Sequence, residues 1–337
     1  MKETEFYNKV PGKKPGIKDV AKAAEVSPTT VSRVLNNRGY ISEETRNKVY
    51  QAMEQIGYYP NEIARALLNN RTYFIGLIVP SISSPFHGEI VENIEICLSK
   101  KHYKMLLCNS NNNLETEKEY INMLKRSQVD GIIVVSHNLY AEEYTGLSMP
   151  VVAIDRFLGD GIKTVSSDNY QIGVLATRHL LERGCRRILC IRGDSRLKMP
   201  GNDRSRAYRD IMQENGLEPM VLEVPFVKTN HEKWELIRNM LDSHSEVDGV
   251  FAGDDMLAAT TLHIARKNGI AVPENLKIIG VDGAKQTRLF LPELTTIRQP
   301  IELIARQAVE SLIDQIEGRP CENELNLPVE LLQGKTT

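Results

Sequence analysis

The chain has 337 residues, long enough for more than one domain, and 41% of them are hydrophobic, as in a globular protein. It contains no run of 18 apolar residues and no apolar stretch near its amino terminus, which predicts neither a membrane span nor a secretory signal. Five cysteines without CxxC spacing indicate reduced thiols. Residues 1–71 hold 12 Lys and Arg against 8 Asp and Glu, whereas the rest of the chain carries a net charge of −6. This asymmetry predicts a small anion-binding module joined to a larger acidic part.

Three short helical patterns follow one another between residues 16 and 60. Gly16 is the expected N-cap of the first, in which apolar residues recur at helical spacing. Ser27 caps the second, and Pro28 stands at its first position, where a missing N–H has no cost. The third begins after Ser42 and ends at Gly57. Because only a short turn separates the first two, this segment predicts a helix-turn-helix unit.

The segments on either side of the three helices, residues 1–15 and 61–71, are not predicted to fold on their own. Residues 1–15 are rich in Lys, Pro and Gly and are predicted to be disordered. Residues 61–71 show a helical pattern of about two turns, shorter than the roughly 12–15 residues that an isolated helix needs in water. This second segment is therefore predicted to fold only against a partner.

From Tyr73 onwards, continuous Val, Ile and Leu runs alternate with helical patterns. Such runs predict parallel strands covered by helices on both faces. The stretch Ile75–Pro80 resembles Ile188–Gly193, and two later pairs of stretches repeat this likeness in the same order. The chain is thus predicted to form two similar α/β lobes. Ligands of such sheets bind beyond the carboxyl ends of the strands, which places the expected ligand site in the cleft between the lobes.

Several stretches resemble the lactose-repressor (LacI) family of bacterial transcription regulators: IKDVAKAAEVSPTTVSRVLNN, GYYPNEIARAL, IIGVDG and LTTIRQP. The resemblance extends from Ile17 to about Thr337. CNSNNN, VSHN, AIDRF and VSSDN are similar to sucrose-operon repressors of Gram-positive bacteria. The family implies an all-α helix-turn-helix domain and a two-lobe, periplasmic-binding-protein-like α/β core with doubly wound parallel sheets. The implied bounds are 16–60 for the helix-turn-helix domain, 61–71 for a hinge helix, 73–337 for the core, about 73–165 and 298–327 for its N-lobe, and about 166–297 for its C-lobe.

The resemblance implies that the second helix enters the major groove of operator DNA. That groove is about 12 Å wide and suits small hydroxyl side chains and one long Arg. Thr29 and Arg33 are predicted to read base edges, and Leu67 is predicted to wedge between base steps in the minor groove. The two hinge helices of a homodimer would meet there on a pseudo-palindromic operator. The full predicted DNA-binding set is Ser27, Thr29, Thr30, Ser32, Arg33, Asn36, Tyr40, Ser42, Thr45, Tyr58, Asn61, Ala64 and Leu67.

Two positions depart from the family pattern. The family usually has glycine where Glu25 stands, in the turn between the first two helices. If that turn requires a positive φ, Glu25 costs roughly 1–2 kcal/mol. Gly16 replaces a frequent threonine and caps a helix almost as well.

The resemblance also implies an effector site in the interlobe cleft. Arg206 and Asp282 are predicted to make its strongest contacts, because charged groups form strong hydrogen bonds with hydroxyls, and Phe86 is predicted to stack on a sugar face. Two residues keep a second interpretation: His87 as a packing residue, and Asp254 as a helix cap. The full predicted set is Ser84, Phe86, His87, His137, Asn138, Asp155, Arg206, Asp254 and Asp282.

The predicted effector is a small sugar or sugar phosphate, with sucrose or another fructose-containing sugar favoured. Its binding is expected to change the angle between the lobes, separate the hinges and release the operator, with a coupling of about 1–3 kcal/mol. A corepressor that tightens DNA binding is equally compatible with the sequence, as is regulation by ribose or a purine. A phosphoprotein partner also stays open. No leucine heptad follows PVELLQGKTT, which favours a dimer over a tetramer.

Two other classes of protein compete with a regulator. A sugar-binding transport protein shares the two-lobe core, but it needs an export signal and has no DNA-binding head. For an enzyme, Ser195 and Lys198 match SxxK and residues 167–169 match SDN, but their order is wrong for a serine β-lactamase. No nucleotide-binding or zinc-protease motif occurs. We therefore predict a cytoplasmic, non-enzymatic protein without a cofactor or a metal.

Overall fold

The chain forms two compact units, Met1–Thr72 and Tyr73–Thr337, and each is described by itself. The computed structural model describes residues 15–36, 38–59, 71–136, 142–196, 199–320 and 324–337. Nearly all of the predicted hinge helix and of the predicted disordered tail lies outside these ranges. No helix in the described ranges is long and apolar enough to cross a membrane.

The first unit contains the three predicted helices, α1 (Ile17–Ala23), α2 (Pro28–Leu35) and α3 (Glu43–Ile56). Each begins and ends where local chemistry favours it. The Ser27 hydroxyl accepts a hydrogen bond from the Thr30 backbone N–H at 3.0 Å. The Ser42 hydroxyl does the same for Thr45 at 3.3 Å. Gly57 ends α3 in the left-handed conformation that glycine adopts freely.

In the turn between α1 and α2, Glu25 has a left-handed backbone conformation that is unfavourable for a residue with a side chain. Val20, Val31 and Val49, one from each helix, are fully buried in a small core, and this packing fixes the path of the turn. Glu25 consequently has a φ of 54°. A non-glycine residue in this region is strained by roughly 1–2 kcal/mol.

We expect Glu25→Gly to raise the free energy of unfolding of the first unit by about 1 kcal/mol. The substitution removes the strain caused by Cβ in this conformation. Part of that stabilisation is offset, because glycine loses more conformational entropy on folding. Thermal melting followed by hydrogen exchange of the α1–α2 amides measures the change. Glu25→Ala is the matched control: it removes the carboxylate but keeps Cβ, so equal stabilisation by both substitutions would contradict a backbone origin.

The second unit alternates strands and helices in chain order. Its strands are β1 (Phe74–Val79), β2 (Lys104–Asn109), β3 (Gly131–Val134), β4 (Val151–Ile154), β5 (Lys163–Ser167), β6 (Ile188–Arg192), β7 (Met220–Glu223), β8 (Gly249–Ala252), β9 (Lys277–Asp282), β10 (Thr295–Arg298), β11 (Glu324–Leu327) and β12 (Glu330–Leu332). Its helices are α4 (Pro85–Lys100), α5 (Leu114–Arg126), α6 (Glu142–Thr145), α7 (Asn169–Glu182), α8 (Asn202–Glu214), α9 (Asn230–Ser243), α10 (Asp255–Lys267), α11 (Lys285–Phe290) and α12 (Ile301–Ile316).

These strands form two six-stranded sheets, one in each lobe. The first has the order β11-β5-β4-β3-β1-β2 and is parallel throughout. The second has the order β12-β10-β9-β8-β6-β7 and is parallel except for the pairing of β10 with β12. Both sheets have buried apolar residues on each face, as the continuous Val, Ile and Leu runs predict. The predicted two-lobe α/β fold is confirmed.

The chain passes between the lobes after β5, after β10 and after β11. Helix α12 packs in the core of the first lobe, although β10 before it belongs to the second sheet. The structure extends the sequence-based bounds in two places. Strand β5 continues to Ser167, two residues beyond the expected end of the first segment at 165. The final strand, β12, returns to the second sheet because its backbone pairs with β10, and this segment had no predicted lobe.

Candidate functional site

The outer side of α2 is the candidate DNA-reading surface of the first unit. Thr29 and Arg33 are exposed on it, and the helix carries no acidic side chain. Tyr40, in the loop after α2, is 97% exposed, which is unusual for so large a ring. Thr30 and Ser32 are half-buried on the same helix. This surface offers one cation, hydroxyls and an aromatic ring, the groups suited to base edges and phosphates.

Other predicted DNA contacts also hold the helices together. Ser27 and Ser42 cap α2 and α3, so their hydroxyls already accept a backbone hydrogen bond. The Asn36 side-chain amide donates to the backbone oxygen of Ser32 at 2.9 Å. The Tyr58 side chain packs against the small core of the unit. Asn61, Ala64 and Leu67 lie outside the described residues.

A cavity of about 540 Å³ lies between the lobes, where the carboxyl ends of both sheets face each other. This is the location that the doubly wound sheets predict. Six of the predicted effector residues line it: Ser84, Phe86, His87, Asp155, Asp254 and Asp282. The cavity with these residues is called the effector cleft below. His137 and Asn138 lie outside the described residues.

Carboxyl groups from both lobes meet in the effector cleft. Asp155 follows β4 with a left-handed φ of 50°, and Asp282 ends β9 with a φ of 118°. Asp254 caps α10 by accepting from the Leu257 backbone N–H at 2.7 Å, so the alternative interpretation as a cap holds while the residue also lines the cleft. Burial raises the pKa of Asp155 and of Asp254. Burial and then the neighbouring Asp255 raise the pKa of Asp282 well above its ordinary value.

Arg204 faces all three of these carboxyl groups. Lys233 opposes the rise in pKa of Asp254, and Arg204 opposes the rise in pKa of Asp155, Asp254 and Asp282. Its Nε donates to the Asn169 side-chain oxygen at 2.7 Å and its Nη1 to the Gly253 backbone oxygen at 2.7 Å. Two hydrogen bonds leave three of the five N–H groups of a guanidinium for a ligand. Arg204 therefore provides charge-assisted donors beside several acceptors, a combination that suits a polyhydroxylated ligand.

The prediction that Arg206 lies in the cleft is wrong. Its side chain is exposed, pairs with Asp203 at 3.2 Å and lies over the Tyr170 ring at 5.2 Å. Two helical positions rotate a side chain by about 200°, so Arg204 and Arg206 point to opposite sides of α8. Close packing fixes the rotation: a Cβ at Gly173 of α7 would overlap the Arg204 backbone oxygen.

Asn169 and Glu89 connect the two lobes beside the cleft. The Asn169 amide donates to Asp155 at 3.4 Å while its oxygen accepts from Arg204. The buried Glu89 of α4 accepts from the Lys285 backbone N–H, at the start of α11, at 2.7 Å. Lys285 follows Asp282 by three residues, so one short segment of the second lobe carries both a carboxyl group of the cleft and a hydrogen bond with the first lobe.

Two amides in the cleft were missed by the sequence reasoning. The Gln299 amide donates to Asp282 at 2.8 Å, but its oxygen is buried and accepts from no described residue. The Asn112 side-chain oxygen is likewise buried and accepts no hydrogen bond from a described residue. Leaving a buried acceptor unsatisfied costs about 1–3 kcal/mol, so both oxygens favour a ligand that donates hydrogen bonds. Gln299 belongs to the quoted stretch LTTIRQP, where its position just after a strand was an available signal.

Phe86 and His87 form the first-lobe wall of the cleft. Their rings meet edge to face with centroids 5.5 Å apart. Burial lowers the pKa of His87 to about 4, although a backbone hydrogen bond with Ser81 opposes this effect. The imidazole is therefore neutral at pH 7 and adds polarity without charge.

No group of three or more His, Cys, Asp and Glu side chains that could hold a metal ion occurs within the described ranges. The carboxyl groups of the cleft instead hydrogen-bond with protein amides and face Arg204.

Known bacterial regulators are similar to this chain over nearly its whole length. The family description "Bacterial regulatory proteins, lacI family" matches residues 16–61, and "Periplasmic binding protein-like domain" matches residues 177–337. The sucrose operon repressor of Pediococcus pentosaceus is 42% identical over 325 residues, 96% of this chain and 99% of that protein. The ribose operon repressor of Halalkalibacterium halodurans is 37% identical over 322 residues, 95% of this chain and 96% of that protein.

A solved structure of a LacI-type regulator is similar to the two-lobe core. A periplasmic binding protein/LacI transcriptional regulator from Alkaliphilus metalliredigens QYMF, complexed with D-xylulofuranose, matches with a TM-score of 0.73. It is 35% identical, and the match covers 79% of this chain and 99% of that one. A helix-turn-helix unit followed by a two-lobe core with an interlobe cleft defines a class of ligand-responsive DNA-binding regulators. The chain belongs to the LacI family of bacterial regulatory proteins.

Proposed function

We propose that this protein represses a carbohydrate-utilisation operon and that a sugar in the effector cleft controls its affinity for operator DNA. The observation that carries the proposal is the meeting of Asp155, Arg204, Asp254 and Asp282 in one interlobe cavity of a chain that begins with a helix-turn-helix unit. Alternating carboxyl, guanidinium and amide groups suit several hydroxyls, and Phe86 offers an apolar face for a sugar ring.

Sucrose or another fructose-containing sugar is the proposed effector. The support is the 42% identity to a sucrose operon repressor, against 37% to a ribose operon repressor. Thermal melting of the purified protein with sucrose, fructose, ribose and purines tests this choice. A ligand at 100 times its Kd adds about 2.7 kcal/mol to the free energy of unfolding. A rise in melting temperature with ribose or a purine alone would contradict the sucrose assignment and indicate that the protein regulates another pathway. It would not contradict its role as a regulator.

The proposed mechanism is a change of the angle between the lobes. A sugar that contacts Asp155 from one lobe and Asp282 from the other alters the lobe spacing, and the contact of Glu89 with Lys285 transmits the change. In a homodimer on a pseudo-palindromic operator, this change separates the two DNA-binding heads and lowers affinity by about 5- to 150-fold. A corepressor would have the opposite sign.

We expect Arg33→Ala to lower operator affinity by about 1–3 kcal/mol, because an Arg that binds guanine bidentately supplies that much discrimination. Operators are first selected from randomised duplexes by the full-length protein, and fluorescence anisotropy then measures affinity for the selected operator and for a random duplex. Arg33→Ala should weaken operator binding more than random binding. Arg38→Ala, which removes a neighbouring exposed charge, should weaken both equally. Equal losses for Arg33→Ala would reduce its role to phosphate attraction.

The same assay tests the proposal as a whole. The effector should dissociate the operator complex at concentrations that shift the melting temperature, and the sugar should be recovered chemically unchanged. Turnover of the sugar would indicate an enzyme instead. Because operator DNA lies in the bacterial cytoplasm, the proposed repressor acts in that compartment.

A further inference from the structure

We propose that Glu117, a buried carboxylate outside the effector cleft, is a positioning residue that fixes the first-lobe wall of the cleft for effector binding. It acts through Ser136 and Arg156, which directly follow the cleft-lining residues Val135 and Asp155 in the chain. This inference rests on the proposed function, since it concerns the ligand of the same cleft.

The Glu117 side chain receives hydrogen bonds from two other elements of the first lobe. Glu117 lies on α5 and is only 1% exposed. The Ser136 hydroxyl donates to its Oε2 at 2.7 Å, and the Tyr144 hydroxyl donates to its Oε1 at 2.6 Å. Both carboxylate oxygens are therefore engaged, one by the segment that follows β3 and the other by α6. A carboxylate can be buried in this way where hydrogen bonds and a counter-charge replace water.

Arg156 supplies the counter-charge. It is buried, and its charge interacts with Glu117 and with Tyr144. Burial lowers the pKa of Arg156, and the charge of Glu117 opposes this effect. The Arg156 backbone oxygen also accepts from the Thr164 hydroxyl of β5 at 3.0 Å. Glu117, Ser136, Tyr144 and Arg156, called the Glu117 network below, thus connect α5 and α6 with the residues that follow β3 and β4.

The Glu117 network acts on the cleft through the connectivity of the chain. Strands β3 and β4 are neighbours in the first sheet, and Val135 and Asp155 are the first residues after them. The Val135 N–H donates to the Ile78 backbone oxygen at 2.9 Å, and the Asp155 N–H donates to that of Val165 at 3.0 Å. The left-handed φ of Asp155 persists only where the surrounding structure fixes it. The network fixes the residue that follows Asp155, and so it sets the position of a carboxyl group in the cleft.

Packing alone does not require this chemistry. Apolar side chains of similar volume would fill the same space without the desolvation of two charges, and such replacements are often neutral or stabilising. Hydrogen bonds to a carboxylate are directional, so they restrict the positions of Ser136 and Arg156 more narrowly than apolar contacts do. The contribution of the Glu117 network is therefore the geometry of the cleft wall.

Hydrogen exchange of the ligand-free, full-length protein tests the positioning. Tyr144→Phe removes one hydrogen bond of the network and keeps both charges, whereas Glu117→Gln removes the negative charge. Each substitution should speed exchange of the Val135 and Asp155 amides about tenfold relative to the β1 amides, as the loss of one hydrogen bond implies. Tyr103→Phe is the matched control. It removes the hydroxyl of another buried tyrosine, which precedes β2 at the opposite edge of the same sheet, and should leave both amides unchanged.

Calorimetric titration with sucrose and with fructose tests the effect on the cleft. Tyr144→Phe should lower the affinity for the sugar that binds by about 5- to 30-fold, the size of couplings between groups that share one network. In an Asp155→Asn background the same substitution should lower affinity by less than about twofold, because its effect passes through Asp155. In an Asp282→Asn background, which alters the opposite wall of the cleft, it should keep its full effect.

The outcomes separate this inference from the proposed function. Equal acceleration of exchange at all amides of the first sheet would show only a lower stability and overturn the positioning role. Unchanged sugar affinity in both the Tyr144→Phe and the Glu117→Gln proteins would overturn it as well. Binding of neither sugar by the wild-type protein would contradict the proposed effector, and the exchange pattern would then decide the inference by itself.

Discussion

Arg204→Met is expected to abolish effector control of DNA binding and to destabilise the second unit at neutral pH. Arg204 faces Asp155, Asp254 and Asp282, with Lys233 also close to Asp254, and the Nε of Arg204 donates to the Asn169 side-chain oxygen. Each charge-assisted hydrogen bond lost with a ligand costs about 1.5–3 kcal/mol, so effector affinity should fall at least about tenfold. Removing one partner of a buried charged network typically costs about 3–5 kcal/mol of stability, and proton uptake by the carboxyl groups reduces this loss.

Arg206→Met is the matched control, because it makes the same change two positions later on the same helix. Arg206 is exposed, and among the described residues it pairs with Asp203 and lies over the Tyr170 ring, so its loss should change stability by less than about 0.5 kcal/mol. Urea denaturation and calorimetric titration measure both effects. Normal effector binding by the Arg204→Met protein, with loss in the Arg206→Met protein, would contradict the rotation of α8 that places Arg204 in the cleft.

The pair Arg204 and Arg206 also shows what a single sequence can and cannot predict. The stretch DRSR predicts a cation at the start of a helix beside the cleft, but it does not show which of its two arginines enters the cleft. Which one enters depends on the rotation of α8, and that rotation is fixed by packing against Gly173, far away in sequence. Tertiary packing of this kind leaves no local signal.

The helix-turn-helix unit could be predicted almost completely because its signals are local. Ser27, Pro28, Ser42 and Gly57 mark the starts and ends of helices by their own hydrogen-bonding and backbone preferences. The two lobes could be predicted as well, because parallel strands buried on both faces require continuous apolar runs. The acidic residue Asp255, by contrast, reads as an ordinary first-turn residue of α10, and only the fold reveals its burial.

Asp255 is expected to make the protein less stable as the pH rises from 5 to 8. The residue is 2% exposed and lies directly behind the effector cleft. Its carboxyl accepts from the Thr296 hydroxyl at 2.6 Å and from the Gly283 backbone N–H at 2.9 Å. Burial, to which the nearby Asp254 adds, raises its pKa to about 7 despite these hydrogen bonds.

The direction of the effect follows from proton binding. The folded protein binds this proton more tightly than the unfolded chain, whose Asp titrates near its ordinary pKa of 3.8. The resulting stabilisation is complete below about pH 4 and is lost as the pH rises through about 7. Each pH unit between the two values changes the free energy of unfolding by about 1.4 kcal/mol, so the loss amounts to a few kcal/mol. Asp282, whose pKa is also raised, acts in the same direction.

Asp255→Asn should therefore flatten this pH dependence and make the protein more stable than the wild type at pH 8. The amide keeps the shape of the side chain, accepts from Gly283 with its oxygen and donates to the Thr296 hydroxyl. Urea denaturation at several pH values between 5 and 8 measures the slope. Asp314→Asn, which removes a carboxylate paired with Arg319 outside the cleft, should leave the wild-type slope unchanged. An unchanged slope in the Asp255→Asn protein would mean that Asp255 stays ionised in the folded state, and that Arg204 and the hydrogen bonds outweigh its burial.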